Sequence, residues 1–307
     1  MQSVTVVVPT RNRLDRLREA VASARRQDGV SVEIIVIDDA SEDGTHQWLS
    51  HEGQAPGFRS HRFPTPCERS RARNHGLHLA SGEFVMFLDD DDALRPGALA
   101  ALALALRDHP TAVAAVGARW EIFEGQRYAR RAAHPRSTMC RDVLPELLFG
   151  WSAVSGQNLY PVDVVRAVGG YRETMSLCED RDLWTRVATR GPVVLVPLVT
   201  VDYRYNLGQT RPHWVSFTRA RVALRCASTL PPERRTRALA WVRSGRFVEN
   251  AERSLSLGQY LRGVRLAAAG IAQAPGLFLS PLIGEWVLRR LAGRVARRLV
   301  SPLTMSA

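Results

Sequence analysis

Three short apolar runs, each closing on acidic residues, alternate with helix-patterned stretches near the start of the chain. No other feature restricts the fold as much. The runs are VTVVV (4–8), EIIVIDD (33–39) and EFVMFLDD (83–90). They are rich in β-branched or aromatic residues and read as parallel strands buried on both faces. Between them Leu14, Leu17 and Val21 recur at helical spacing, and residues 69–80 are helix-compatible. Pro96 stands where the first residue of a helix over PGALAALALALRDH belongs. This repetition predicts an α/β fold with an open, doubly wound, mostly parallel sheet flanked by helices. Ligands of such sheets sit at the carboxyl ends of the strands. Asp38 and Asp39 at one strand end, and Asp89 and Asp91 at another, then share a rim.

That rim poses an electrostatic problem. Asp89, Asp90, Asp91 and Asp92 follow Phe87-Leu88 in a chain whose formal charge is +12. Carboxylates this close raise one another's pKa and disfavour folding unless a cation shares them. A hard divalent ion held by one or two carboxylates plus phosphate oxygens is a common answer where a diphosphate must be neutralised. Oxygen-only ligation favours Mg²⁺ or Mn²⁺ over zinc. Taken alone, such a run is more often a solvated acidic turn, with Asp92 meeting the dipole of the helix that follows.

Composition sets outer limits. With 307 residues, 45% hydrophobic and 23% charged, the chain can bury a full core and suits one large α/β domain with an appendage or two modest domains. Cys67, Cys140, Cys178 and Cys226 are scattered, with neither a CxxC pair nor a Cys/His cluster, which argues against zinc and disulfide frameworks and for a reducing compartment. The start MQSVTVVVPT has no basic segment, apolar stretch or cleavage site of a leader, so a cytoplasmic location is expected. Charge is uneven: residues 201–307 hold 18 arginines against 5 acids, and residues 1–200 hold 24 against 25. Lysine is absent, so arginine at any one position can simply reflect overall composition.

VTVVVPTRNRLDRLREAVASARRQ, EIIVIDDASEDGT and RARNHGLHLASGEFVMFLDDDDALRPGAL together resemble the nucleotide-sugar half of inverting family 2 glycosyltransferases of GT-A fold. SGQNLYPVDVVRAVGGYRE and CEDRDLWTRVA resemble the acceptor half. The likeness covers roughly residues 3–205 in the family's order, which is more specific than any single motif. It implies a GT-A domain over residues 1–210, with a nucleotide-sugar half (1–118) and an acceptor half (119–210), and an Arg-rich helical region over 211–307.

The resemblance also implies roles. Asp89-Asp90-Asp91 matches the D-x-D element, with Asp91 the direct ligand of Mn²⁺ or Mg²⁺ and Asp89 facing the ribose or the metal's waters. Pro9, Thr10 and Arg11 would lie along the nucleobase, and Asp39 would accept from a pyrimidine N–H. Capping of the turn at DASEDGT is an alternative for Asp39. Arg73 corresponds to an arginine near the diphosphate, with Arg71 a competitor. In CEDRDLW, Asp180 corresponds to the general base that takes the acceptor's proton, although acids in a helix's first turn are also ordinary dipole partners. Gly156, Gly169 and Gly170 match turns beneath the acceptor site. Trp151 and Trp184 suit either a sugar platform or the core. His213 lies near a metal-binding position of related enzymes, while QTRPHW is only a loose echo of the processive synthases' motif.

Beyond residue 205 the likeness stops. In 276–300, Leu288, Leu291, Val295 and Leu299 with Arg289, Arg290, Arg294, Arg297 and Arg298 form an apolar stripe with a basic face. That pattern suits an anionic membrane surface, and also suits a helix packed on protein. The expected partners are a nucleoside-diphosphate sugar and a glycan or lipid-linked acceptor. A non-catalytic binder of nucleotide-sugar or nucleic acid is the competing class, but no aromatic-basic interleaving supports nucleic acid.

Overall fold

The computed structural model describes residues 1–53, 55–123, 129–131, 134–205, 214–280, 282–283 and 287. The proposed amphipathic stripe at 288–300, and His213, lie outside them. In chain order the elements are β1 (Ser3–Thr10), α1 (Leu14–Arg25), β2 (Ser31–Asp38), α2 (Thr45–Glu52), β3 (Phe58–Arg62), α3 (Arg69–Leu79), β4 (Phe84–Phe87), β5 (Ala93–Leu94), α4 (Ala98–Asp108), β6 (Ala114–Phe123) and β7 (Ala129–Arg131). There follow β8 (Met139–Arg141), α5 (Leu144–Phe149), β9 (Asn158–Pro161), α6 (Val162–Ala167), α7 (Glu179–Ala188), β10 (Val193–Tyr205), α8 (Trp214–Thr229), α9 (Pro232–Ser256) and α10 (Tyr260–Gln273).

The sheet runs β3-β2-β1-β4-β9-β6-β10-β5, with β7 on β6 and β8 on β10. β3, β2, β1 and β4 are mutually parallel, and β9 pairs antiparallel with both β4 and β6. β6 and β10 are parallel, so six strands of this path point one way and only β9 and β5 oppose them. The doubly wound, mostly parallel expectation therefore holds. Val4, Val6 and Val8 of β1 pack with Leu17 of α1 and Leu99 and Leu102 of α4. Ile35 and Ile37 of β2 pack with Ala72 of α3 in a separate cluster. Strands covered by two helix layers have no solvated face, which is why their sequences lack alternation.

Pro96 does not begin a helix. β5 pairs with β10, Arg95 donates its N–H to Thr200 O, and Gly97 takes a left-handed φ of 73° as the cap of α4. The backbone is committed to a strand and a turn until Ala98, and glycine adopts that conformation without steric cost.

Two compact units are present: residues 1–142 with 153–215, and residues 143–152 with 216–307. In the second, α5 contributes buried Leu144, Leu147, Leu148 and Phe149. A Cβ at Gly245 of α9 would fall inside the Phe149 carbonyl, so the two backbones touch there. Ser280 Oγ donates to Glu146 Oε1 at 2.6 Å. No helix among the described residues is long and apolar enough to cross a membrane.

Candidate active site

β1, β2 and β4 end side by side, so the loops that follow them converge on one rim. The first two loops are laced together. Asn12 donates its N–H to Ser41 Oγ at 2.9 Å, and its Oδ1 accepts from Glu42 N–H at 2.7 Å. Asp38 Oδ1 accepts from Ser41 N–H and Asp43 from Thr45, so those two acids close the turn. Asp39 instead reaches across to α3, accepting from Cys67 N–H at 2.6 Å and Glu68 N–H at 3.2 Å.

The four aspartates after β4 have different surroundings. Asp89 accepts from Arg73 Nη2 at 2.6 Å. Buried Asp90 accepts from the Thr10 hydroxyl at 2.8 Å and from Arg13 Nη1 at 3.0 Å, and the same Nη1 reaches Asp91 at 2.9 Å. Asp92 is fully buried and accepts from Arg204 N–H at 3.0 Å. It therefore pins β10 rather than serving the dipole of α4. Burial pushes the Asp90 carboxyl up to about 6, although Arg13 and Thr10 oppose the rise. Burial and then the nearby Asp89 charge raise Asp91, and raise Asp92 well above the ordinary carboxylate range.

Carboxylate oxygens of Asp89, Asp91 and Asp92 lie within 4.8 Å of one another. Asp92 Oδ2 is buried without a hydrogen-bond partner, which is costly for an anionic oxygen. An all-oxygen set with an unsatisfied member fits a hard divalent cation.

One guanidinium joins this cluster to α7. Arg73, 3% exposed, donates from Nη2 to Asp89 and from Nη1 to Glu179 Oε1 at 3.0 Å, and lies 5.1 Å from the Tyr171 ring centroid. Burial raises Glu179, with Asp180 adding to it and Arg73 opposing. Asp182 is held by Arg172 at 3.2 Å and Arg186 at 2.7 Å. Asp180 is half-buried and, among the described residues, has no ion-pair partner; its Oδ1 accepts from Arg181 N–H at 2.7 Å. With Phe87, Asn158, Tyr160, Tyr171 and Trp184 it lines a small cavity. Arg73→Met should destabilise the protein by about 3–5 kcal/mol, because Glu179 would stay buried with only the exposed Arg69, 3.9 Å away, to offset its charge. A denaturant midpoint equal to wild type would show that the bridge contributes nothing.

The remaining expected residues fall as follows. Pro9 and Thr10 are buried at the end of β1, while Arg11 is exposed on the bend beyond it. Arg71 is exposed and lies 5.6 Å from the Phe63 ring, so Arg73 is the arginine on the acid cluster. Gly156, Gly169 and Gly170 all have left-handed φ, of 77°, 78° and 62°. Trp184 is 1% exposed and Trp151 is buried in the second unit. Arg13, Arg204 and Tyr171 were not singled out by sequence. Arg13 could have been, as the second arginine of PTRNR directly after a strand; Arg204 lies 112 positions from Asp92, with no local signal.

The family model described as Glycosyl transferase family 2 matches residues 5–158. The chain is 40% identical over 106 residues to the GalNAc(5)-diNAcBac-PP-undecaprenol beta-1,3-glucosyltransferase of Campylobacter jejuni, covering 33% of this chain and 34% of that protein. It is 30% identical over 214 residues to the pre-mycofactocin glycosyltransferase of Mycobacterium tuberculosis, covering 67% of this chain and 44% of that one. The match thus spans less than half the length of either relative. The crystal structure of S. aureus TarS 1-349 in complex with UDP-GlcNAc superimposes with a TM-score of 0.68 at 17% identity, covering 96% of this chain and 89% of that one.

Proposed function

This chain belongs to glycosyl transferase family 2, and we propose that it is a sugar-transferring enzyme that moves a sugar from a UDP- or dTDP-sugar to a glycan or lipid-linked acceptor, with inversion. The observation that carries this reading is the Arg73 bridge, which ties the acid cluster at the strand ends to the helix bearing Asp180. A donor needs a place for its diphosphate, and an acceptor hydroxyl needs a base on the other side of the reacting carbon.

In this reading Pro9, Thr10 and Arg11 flank the nucleobase, and Asp39 shares a second carboxylate lone pair with its imino N–H. Arg73, with its fixed fork of donors, faces the diphosphate beside Asp89 and Asp90. Asp91 and Asp89, with Asp92 behind them, would hold Mn²⁺ or Mg²⁺, whose charge would stabilise the departing nucleoside diphosphate. Asp180 takes the proton from the acceptor hydroxyl as that oxygen attacks the anomeric carbon from the face opposite the leaving group. With Glu179 and Asp182 engaged by arginines, Asp180 is the carboxylate of this motif available for that task. The enzyme would work at the cytoplasmic face of the membrane as a peripheral protein, where a lipid-linked acceptor presents its head group.

Thermal melting with a panel of UDP-, dTDP- and GDP-sugars, with and without Mn²⁺, tests the donor assignment, since a ligand that binds only the folded state raises its stability. A UDP- or dTDP-sugar should give the largest, Mn²⁺-dependent rise. Stabilisation by none of them would refute the proposed donor site.

A further inference from the structure

α10 packs the wrong way round for a helix whose only task is to fill a core. Its buried residues are Gly263 and Gly270. Gly263 abuts Leu255, and Gly270 sits against Phe247 and Val248 of α9 while its carbonyl accepts from Ser244 Oγ at 2.6 Å. The small face is thus clamped on α9, and the large aliphatic face points out. Leu261, Val264, Ala268 and Ile271 follow helical spacing along one exposed stripe, with Leu261 80% and Val264 63% exposed. A surface helix ordinarily buries such residues, and an outward apolar stripe on a fixed helix marks an interaction surface.

Charge selects the occupant. Arg262 and Arg265 are exposed beside the stripe, and neither makes an ion pair among the described residues. α10 holds no acidic residue. Two copies meeting stripe to stripe would bring like charges together with no acid on either helix to offset them. An aliphatic stripe with a basic flank instead matches a surface rich in phosphate oxygens over hydrocarbon. From these observations we infer that α10 is a membrane-contacting face: the Leu261–Ile271 stripe enters the headgroup–acyl boundary of an anionic bilayer, and Arg262 and Arg265 meet lipid phosphates.

Co-sedimentation of the full chain with vesicles of phosphatidylcholine, with and without phosphatidylglycerol, tests this. Wild type should bind the phosphatidylglycerol vesicles, and less so as salt rises. Leu261→Glu/Val264→Glu should lose that binding about tenfold or more, with an unchanged melting temperature because both side chains are already exposed. Arg262→Glu/Arg265→Glu should abolish the preference for anionic over neutral vesicles. Wild type left in the supernatant would overturn the inference, as would a Leu261→Glu/Val264→Glu protein that binds like wild type. So would a wild-type dimer in sedimentation velocity that ignores vesicles and dissociates on the same substitution, which would give the stripe to a second copy. Binding is read with no sugar present, so failure here leaves the transferase reading standing.

Discussion

Asp180→Asn is expected to keep nucleotide-sugar binding and to slow transfer about 10²–10⁴-fold, the range for a lost general base. The reason lies in how the three acids of CEDRDLW are used. Glu179 is paired with buried Arg73, and Asp182 with Arg172 and Arg186, so both are structural anions. Asp180 lines the cavity next to Tyr160, Tyr171 and Trp184. Glu179→Gln and Asp182→Asn should therefore lower the melting temperature, whereas Asp180→Asn should leave it nearly unchanged. Proton removal is needed only for transfer, so calorimetric donor affinity should match wild type while turnover collapses. An Asp180→Asn enzyme with intact donor binding and near wild-type turnover would place the base elsewhere.

The second large effect concerns the cation. EDTA should abolish transfer, and Asp91→Asn should lower it by about two orders of magnitude or more, since a metal at a departing diphosphate supplies several kcal/mol. A protein fully active in EDTA would sink the assignment. The carboxyl shifts add a pH dependence. Asp90, Asp91 and Asp92 are raised above ordinary carboxylates, so without a cation the fold weakens as pH climbs through their titration. A bound cation removes that loss, and below the titration protons compete with it. Mn²⁺ should therefore raise the melting temperature more as pH climbs through the raised titration of Asp91 and Asp92, the proposed ligands.

What could be read in advance was what local pattern encodes. The runs at 4–8, 33–39 and 83–90 foreshadow β1, β2 and β4, because strands buried on both faces carry unbroken apolar sequence. The rim followed from that, and with it the convergence of Thr10, Asp39 and the aspartates. Non-local pairing was hidden. Nothing near residue 158 announces an antiparallel β9 wedged between β4 and β6, and nothing near Pro96 announces that β10 will claim residues 93–94 as a strand. The partners of the acids were hidden for the same reason. Asp92 reads as a partner of the next helix's dipole until Arg204 is seen donating to it, and nothing near Asp39 announces that Cys67 and Glu68 will donate to it from the next loop.

The division of the chain between its two units has a consequence for how the molecule is made. α5 emerges from the ribosome in the middle of synthesis, flanked by strands that belong to the first unit. The α9 backbone that meets it, with Gly245 against the Phe149 carbonyl, is made only afterwards, and Phe149 and Glu146 gain the Phe278 ring and the Ser280 hydroxyl later still. Until then a nascent chain carries a sticky, unmatched helix inside an otherwise completed sheet. A ribosome stalled soon after β10 would hold a chaperone substrate, and a stop codon placed there would yield a fragment prone to aggregate instead of a minimal enzyme.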